Sequence, residues 1–172
     1  MIDAAAKRAL TLARDIQASA NEVARPPSEV TAPYDQPVLP HSLFEDTRGY
    51  IEKIVYQINR TYEHTCYDAC AVMIRRLVEV LIIEAFEEHK LGDKIKDPHG
   101  NYVHLDDLIN ATLSELSWTL GRNTKTGLPK LKTMGDQSAH GRRYNARRQY
   151  VDEVIVVLRT ASEELLYLAD LR

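Results

Sequence analysis

Apolar residues recur along this chain at intervals of three and four, the spacing that places side chains on one face of an α-helix. The longest such stretch runs from Cys66 to Lys90 and carries two adjacent apolar lines. Its apolar positions are Cys66, Tyr67, Cys70, Met73, Ile74, Leu77, Val78, Leu81, Ile82 and Ala85. Two lines make a stripe wider than a surface helix needs, because a single neighbouring helix covers only one side. We therefore expect a central helix that other elements cover on more than one side.

Four further stripes follow the same helical spacing, over residues 51–62, 105–120, 128–134 and 145–168. Gly121 is well placed to end the second of these helices, and Pro129 suits the first turn of the third. Asn145 is a good N-cap for the last helix. Since no stretch shows the alternation of a half-buried strand, the sequence predicts an all-α fold, a bundle of four to five helices.

The first part of the chain differs in composition from the rest. Residues 3–24 predict a helix with a thin apolar stripe, which suits an arm that is loosely attached or docks on a partner subunit. Residues 25–41 contain five of the seven prolines, a composition typical of a semi-rigid linker. We therefore divide the chain into a helical arm (1–24), a Pro-rich linker (25–41) and a helical bundle (42–172).

Composition narrows the classes of partner. The chain has 44% hydrophobic residues and a formal net charge of -3, so the overall balance indicates neither a nucleic-acid nor a membrane partner. No run approaches the roughly 20 apolar residues of a membrane span. Two cysteines without a secretory segment fit the reducing cytoplasm, where we expect the protein to reside. Without a phosphate-binding glycine loop, we expect no cofactor.

A metal site is considered and set aside. Cys66 and Cys70 share one helical face, and His64 lies nearby in the sequence. Structural zinc usually takes four ligands from loops or turns, whereas both cysteines fall on the apolar stripe. Core packing is therefore the favoured interpretation for both thiols, and no metal is expected.

Arginines cluster before the last predicted helix. They are Arg142, Arg143, Arg147 and Arg148. Cations are unfavourable at a helix N-terminus, which already carries partial positive charge, so the cluster predicts a negative group there. That group is either a phosphate of an external ligand such as nucleic acid or a carboxylate of the same fold, such as Asp136, Glu79 or Asp152. Tyr144 and Tyr150 lie among the arginines and are available to stack on bases.

His140 has two interpretations. It could act as a general base or acid, oriented by Asp136 four residues earlier. Alternatively, Arg75, Glu79, Asp136 and His140 form a structural polar network that links the central helix to the turn before the last one. In that case replacing His140 by alanine lowers the thermal stability.

Two motifs resemble the HEPN-like all-α proteins: YDACAVMIRRLVEVLI in the central helix and LKTMGDQSAH before the last one. Within that family, residues 45–171 look closest to an uncharacterised prokaryotic branch, a domain of unknown function often attached to defence proteins. The resemblance implies an all-α bundle that forms a homodimer.

Active HEPN proteins are metal-independent endoribonucleases with an Arg and a His separated by a short spacer. By this resemblance His140 matches the signature histidine and Asp136 the polar position before it, but no arginine stands at the signature's distance. We therefore predict a non-catalytic module that binds a partner protein or nucleic acid in a prokaryotic defence or regulatory system. The alternative is an endoribonuclease that uses His140 with Arg142 or Arg143.

Overall fold

The computed structural model describes Arg8, residues 11–15 and residues 37–172. The chain divides into two compact units, Met1–Tyr34 and Asp35–Arg172. In the first unit, Arg8 and residues 11–15 are helical and exposed. The rest of the predicted arm, and the predicted linker up to residue 36, lie outside the described residues.

The second unit is an all-α bundle, as predicted. Its helices are α1 (Gly49–Glu63), α2 (Tyr67–Glu88), α3 (Leu105–Ser114), α4 (Arg122–His140) and α5 (Arg148–Leu168). Two short 3-10 helices, His41–Leu43 and Gly92–Ile95, precede α1 and follow α2. Among the described helices, none combines the length and the apolar character needed to cross a membrane.

Helix α2 is the central element, which confirms the interpretation of its double stripe. It contacts α1, α3, α4 and α5, so apolar residues on several of its faces are covered. Most of the predicted apolar positions are buried, but Met73 is only half-buried. Cys66 is also an exception, because it precedes the first turn of the helix and is exposed.

The bundle includes the end of the predicted linker. Val38 and Leu39 are fully buried in the core, where water cannot satisfy their backbone groups. The Asn59 side chain accepts a hydrogen bond from the Leu39 N–H at 3.0 Å and donates one to the Leu39 carbonyl at 2.8 Å. Arg159 Nε donates to the Val38 carbonyl at 2.9 Å. Side chains of α1 and α5 thus fix the chain before the first helix.

Helix α3 ends earlier than its stripe predicts, at Ser114. The Glu115 carboxylate accepts hydrogen bonds from the N–H groups of Leu116 and Ser117, at 2.9 and 3.1 Å. These bonds hold the chain in a non-helical turn, and Leu116 is 96% exposed. The expectation that Gly121 ends this helix is wrong, because Gly121 is the N-cap residue of α4.

The starts of the last two helices also differ from the prediction. Pro129 lies inside α4 and not in a first turn, although an interior proline costs a helix about 3 kcal/mol. Burial of the inward face of α4 against α2 and α5 offsets this cost. The N-cap residue of α5 is Arg147 and not Asn145, and the helix starts at Arg148. The Ala146 N–H donates to the Asp68 carboxylate of α2 at 2.9 Å, which ties the preceding loop to α2.

Two glycines allow α4 to lie close to its neighbours. A Cβ atom at Gly135 would lie 2.4 Å from Arg75 Cβ and 3.0 Å from the Ala71 carbonyl oxygen of α2. A Cβ atom at Gly127 would lie 2.0 Å from Val157 Cγ2 of α5. Both distances to side-chain carbons are far below van der Waals contact, so glycine is required for the observed spacing of the three helices.

Replacing Gly135 by alanine should lower the free energy of unfolding by roughly 1–3 kcal/mol, the usual cost of overpacking. The clash is with a Cβ atom and a backbone oxygen, which no change of rotamer can move. Gly49→Ala is the matched control, because nothing lies within 4 Å of its added Cβ. Urea unfolding of both variants measures the difference, and equal stabilities would contradict the close contact of α4 with α2.

Candidate nucleic-acid interface

A short loop, residues 141–147, joins α4 to α5 and is fixed at both ends; we call it the arginine loop. At its start only glycine fits, because a Cβ atom at Gly141 would lie 2.4 Å from the Gln137 carbonyl oxygen. The Tyr144 N–H then donates to the Gly141 carbonyl at 3.1 Å. At its end, Ala146 is held by Asp68 of α2. The loop therefore presents its side chains from a fixed backbone.

Two tyrosines stack where the arginine loop meets α5. The ring centroids of Tyr144 and Tyr150 lie 6.1 Å apart, with 24° between the ring planes. Both side chains are half-buried, so part of each remains accessible. Burial, together with the neighbouring Tyr150 and Asp68, raises the pKa of Tyr144. The phenol is therefore neutral at physiological pH.

The stacked tyrosines line a groove of about 460 Å³, which we call the tyrosine groove. Its other lining residues come from α4 and α5: Pro129, Lys130, Thr133, Met134, Gln137, Glu153 and Val154. Lys130 and Glu153 carry opposite charges, so the groove itself has no net charge. A ligand in the groove would therefore contact aromatic and apolar surface. Any net charge would have to come from side chains at the edge of the groove.

The four arginines of the predicted cluster do not behave alike. Arg148 donates from Nε to the Tyr62 hydroxyl at 3.0 Å and lies 3.4 Å from the Asp152 carboxylate, so here a carboxylate of the same fold is the counterion. The side chains of Arg142, Arg143 and Arg147 are exposed, and within residues 37–172 they have neither a hydrogen bond nor an ion pair. Three positive charges thus remain available to an external anion.

The helix ends change the electrostatic interpretation of this cluster. Arg142 and Arg143 follow the C-terminus of α4, where the helix dipole favours cations, and do not lie in the first turn of α5. Only Arg147, the N-cap residue of α5, and Arg148 face the unfavourable helix end. The expectation that all four arginines crowd one N-terminus is therefore wrong, and the case for an anion depends on the missing counterions.

A polar network ties α4 to α2 and α3. Arg75 Nε donates to Asp136 at 2.6 Å, and Arg75 Nη1 lies 3.5 Å from Glu79. Lys132 Nζ lies 2.8 Å from Asp136 and 3.3 Å from Asp106. The structure thus brings together three of the predicted network residues and adds two that sequence reasoning missed. The four-residue spacing of Lys132 and Asp136 was the available signal.

His140 is not part of this network. It is the last residue of α4, its side chain is exposed, and its imidazole makes no hydrogen bond to the Asp136 carboxylate or to any other described residue. The expected contact fails because Arg75 and Lys132 already occupy the Asp136 carboxylate. Asp136 therefore does not orient the imidazole for acid–base chemistry.

The cysteines are separated by their environments. Burial raises the pKa of the Cys70 thiol to about 12, and a hydrogen bond with Thr61 offsets this only in part. Cys66 is exposed, which corrects the expectation that both thiols pack in the core. Within the described ranges, no group of three or more His, Cys, Asp or Glu side chains is placed to hold a metal ion.

No protein-family model matches the chain, and neither a curated protein nor a solved structure matches it at a significant level. The HEPN resemblance therefore stays a prediction, and the function is argued from the site.

Replacing Asp136 by asparagine should lower the free energy of unfolding at pH 7 by roughly 1–3 kcal/mol, the usual value for hydrogen bonds to a charged group. His140→Ala is the comparison, and it should change stability by no more than about 0.5 kcal/mol, as expected for an exposed side chain without partners. Urea unfolding measures both values. An equal loss of stability in the two variants would indicate that His140 is part of the polar network.

The loss in the Asp136 variant should depend on pH. Burial alone would raise the pKa of Asp136, but hydrogen bonds from Lys132 and Arg75 outweigh it, and the net pKa is lowered. A lowered folded-state pKa adds stability above the unfolded value, about 3.9 for Asp, which is lost as the pH falls through the folded value. The wild type and Asp136→Asn should therefore converge in stability as the pH is lowered below about 4.

Proposed function

We propose that this chain is a non-catalytic, HEPN-like helical module that binds single-stranded nucleic acid across the tyrosine groove and the arginine loop. The observation that carries the proposal is the absence of counterions within residues 37–172 for Arg142, Arg143 and Arg147, beside a stacked tyrosine pair. A homodimer and a role in a prokaryotic defence or regulatory system follow from the HEPN resemblance and are part of the proposal.

The three arginines supply the sequence-independent part of the binding. A guanidinium group donates several hydrogen bonds in a planar fork that suits phosphate oxygens. Because these side chains have no partner in the described fold, no internal ion pair must break before a phosphate binds. The net charge of the chain is -3, so the overall charge does not attract a nucleic acid and any attraction has to come from a local positive surface.

The tyrosines favour an unpaired strand. Bases stack on aromatic rings only where their faces are accessible, as in single-stranded segments. Tyr144 and Tyr150 keep accessible surface beside a groove of about 460 Å³, which is within the usual size range of ligand sites. Stacking is tolerant of base identity, so we expect modest sequence preference.

The geometry supports binding over cleavage. Metal-independent cleavage of RNA needs a base for the 2'-hydroxyl and a cation at the phosphate. His140 is exposed and could serve as that base, but no described carboxylate or backbone group orients its imidazole. The endoribonuclease that combines His140 with Arg142 or Arg143 is therefore the alternative, and the binding experiment includes a test for it.

The triple variant Arg142→Gln, Arg143→Gln, Arg147→Gln should bind single-stranded RNA at least about tenfold more weakly at low salt. For single strands, log K falls with log salt at about -0.7 per phosphate contact, so three contacts predict a slope of about -2. The variant should lose this slope. Fluorescence anisotropy of a labelled oligouridine, measured over a range of salt concentrations, gives both quantities.

The matched control removes three positive charges elsewhere. Lys53, Lys90 and Arg122 are exposed and have no ion pair in the described residues, and their replacement by glutamine should leave affinity within about twofold. If both triple variants lose affinity equally, the effect is due to net charge and not to the arginine loop. To test for cleavage, the same RNA is incubated with the protein in buffer that contains EDTA and is then examined for shorter products. Cleavage that the His140→Ala variant abolishes would favour the endoribonuclease.

Replacing Tyr150 by leucine should weaken single-strand binding about 5- to 150-fold, the range given by 1–3 kcal/mol per stacked base. Tyr150→Phe keeps the ring and should bind like the wild type. Duplex RNA, whose base faces are covered, should bind all three proteins equally weakly. If the leucine and phenylalanine variants bind single strands equally well, the tyrosine groove does not stack bases.

A further inference from the structure

A second groove, of about 520 Å³, lies between the segment before α4 and the end of α5; we call it the tryptophan groove. Trp118 and His89 line it, with ring centroids 5.0 Å apart and 62° between the planes. The Trp118 indole N–H donates to the Thr112 carbonyl at 3.2 Å, and its ring meets Phe86 edge-on. Trp118 is only 9% exposed, so the indole is held in one orientation and only a small part of it reaches the groove.

The charge on this groove has one sign. Glu163 and Glu164 line it, and among the described lining residues there is no lysine or arginine, His89 being the one basic side chain. Glu164 is fixed by the Gly121 N–H, which donates to its carboxylate at 2.8 Å. The Glu163 side chain is exposed, and in the part of the chain that the structure describes it has no hydrogen bond or ion pair. One carboxylate is thus held in place and a second is free.

Aromatic surface accompanies these carboxylates. Tyr167 lines the same groove and is 76% exposed, so its ring is accessible to a ligand. Aromatic faces attract cations through their quadrupole. A neutral apolar ligand would use the aromatic surface but would leave the Glu163 carboxylate without a counterpart.

We propose that the tryptophan groove binds an organic ammonium ion, with the cation held by the Tyr167 ring and the Glu163 carboxylate against the wall that Trp118 forms. The groove has the volume of a small-ligand site. This site is separate in its residues from the tyrosine groove, so it does not depend on the proposed binding of nucleic acid.

The protein carries its own reporter for this test, because Trp118 is its single tryptophan. Titration with choline should change the tryptophan fluorescence and saturate. The uncharged isostere 3,3-dimethyl-1-butanol, of equal size, should bind at least about fivefold more weakly, as the loss of a cation–π contact of about 1 kcal/mol implies. Equal binding of the two probes, or no saturable change with any probe, would overturn the proposal.

A peptide with one trimethyllysine distinguishes the source of the cation. Saturation by choline indicates a free small molecule, and saturation by the peptide alone indicates a modified side chain; both outcomes support an ammonium site. The unmethylated peptide should bind more weakly than the trimethylated one, because a compact ammonium group is more strongly hydrated.

Glu163→Gln should weaken choline binding about fivefold while leaving the fold intact, because the side chain is exposed. Glu153→Gln is the matched control, since Glu153 is also exposed and lies on α5 but lines the tyrosine groove. Equal affinities in these two variants would rule out a role for the Glu163 carboxylate. The triple arginine variant should bind choline normally even if it no longer binds RNA.

Discussion

The contact of α4 with α2 at Gly135 is the constraint on which the rest of the bundle depends. Without a side chain at this position, the α4 backbone reaches the Arg75 side chain and the Ala71 carbonyl. Asp136, the next residue, then lies 2.6 Å from Arg75 Nε, and Lys132 one turn earlier bridges to α3. The short distances of these ion pairs require the close approach of the helices, so the network depends on the packing that positions it.

The same helix sets the shape of the tyrosine groove. The spacing of α4 and α5 is limited at Gly127, where a side chain would meet Val157. Pro129 and Met134 of α4 then line one groove with Tyr150 of α5. A glycine in a helix interior costs about 1 kcal/mol relative to alanine. Here that cost is offset by close packing, and the spacing of the groove is a consequence.

Features that depend on neighbouring residues in the sequence could be predicted better than features that depend on contacts between helices. Helices α1 and α2 followed from regular apolar stripes, but the end of α3 did not, because Leu116 continues the stripe and is nevertheless exposed. The contacts of the candidate site were harder to predict. Spacing placed Asp136 and His140 on one helical face, yet the carboxylate pairs with Lys132 and Arg75. An ionic group pairs with the neighbour that lies at the right distance, and that distance depends on how the helices pack. The spacing of residues along one helix does not reveal it.

Exposed arginines are common on protein surfaces, and a missing counterion alone does not indicate a ligand. The arginine loop differs because its backbone is fixed at Gly141 and Ala146, and because Tyr144 of the same loop stacks on Tyr150. Positive charges and aromatic rings are thereby presented by one short, ordered segment. A strand that binds there loses its own freedom but orders little of the protein, and such preorganisation lowers the entropic cost of association. For this reason the ligand that we propose is a polyanion with planar groups and not a small anion.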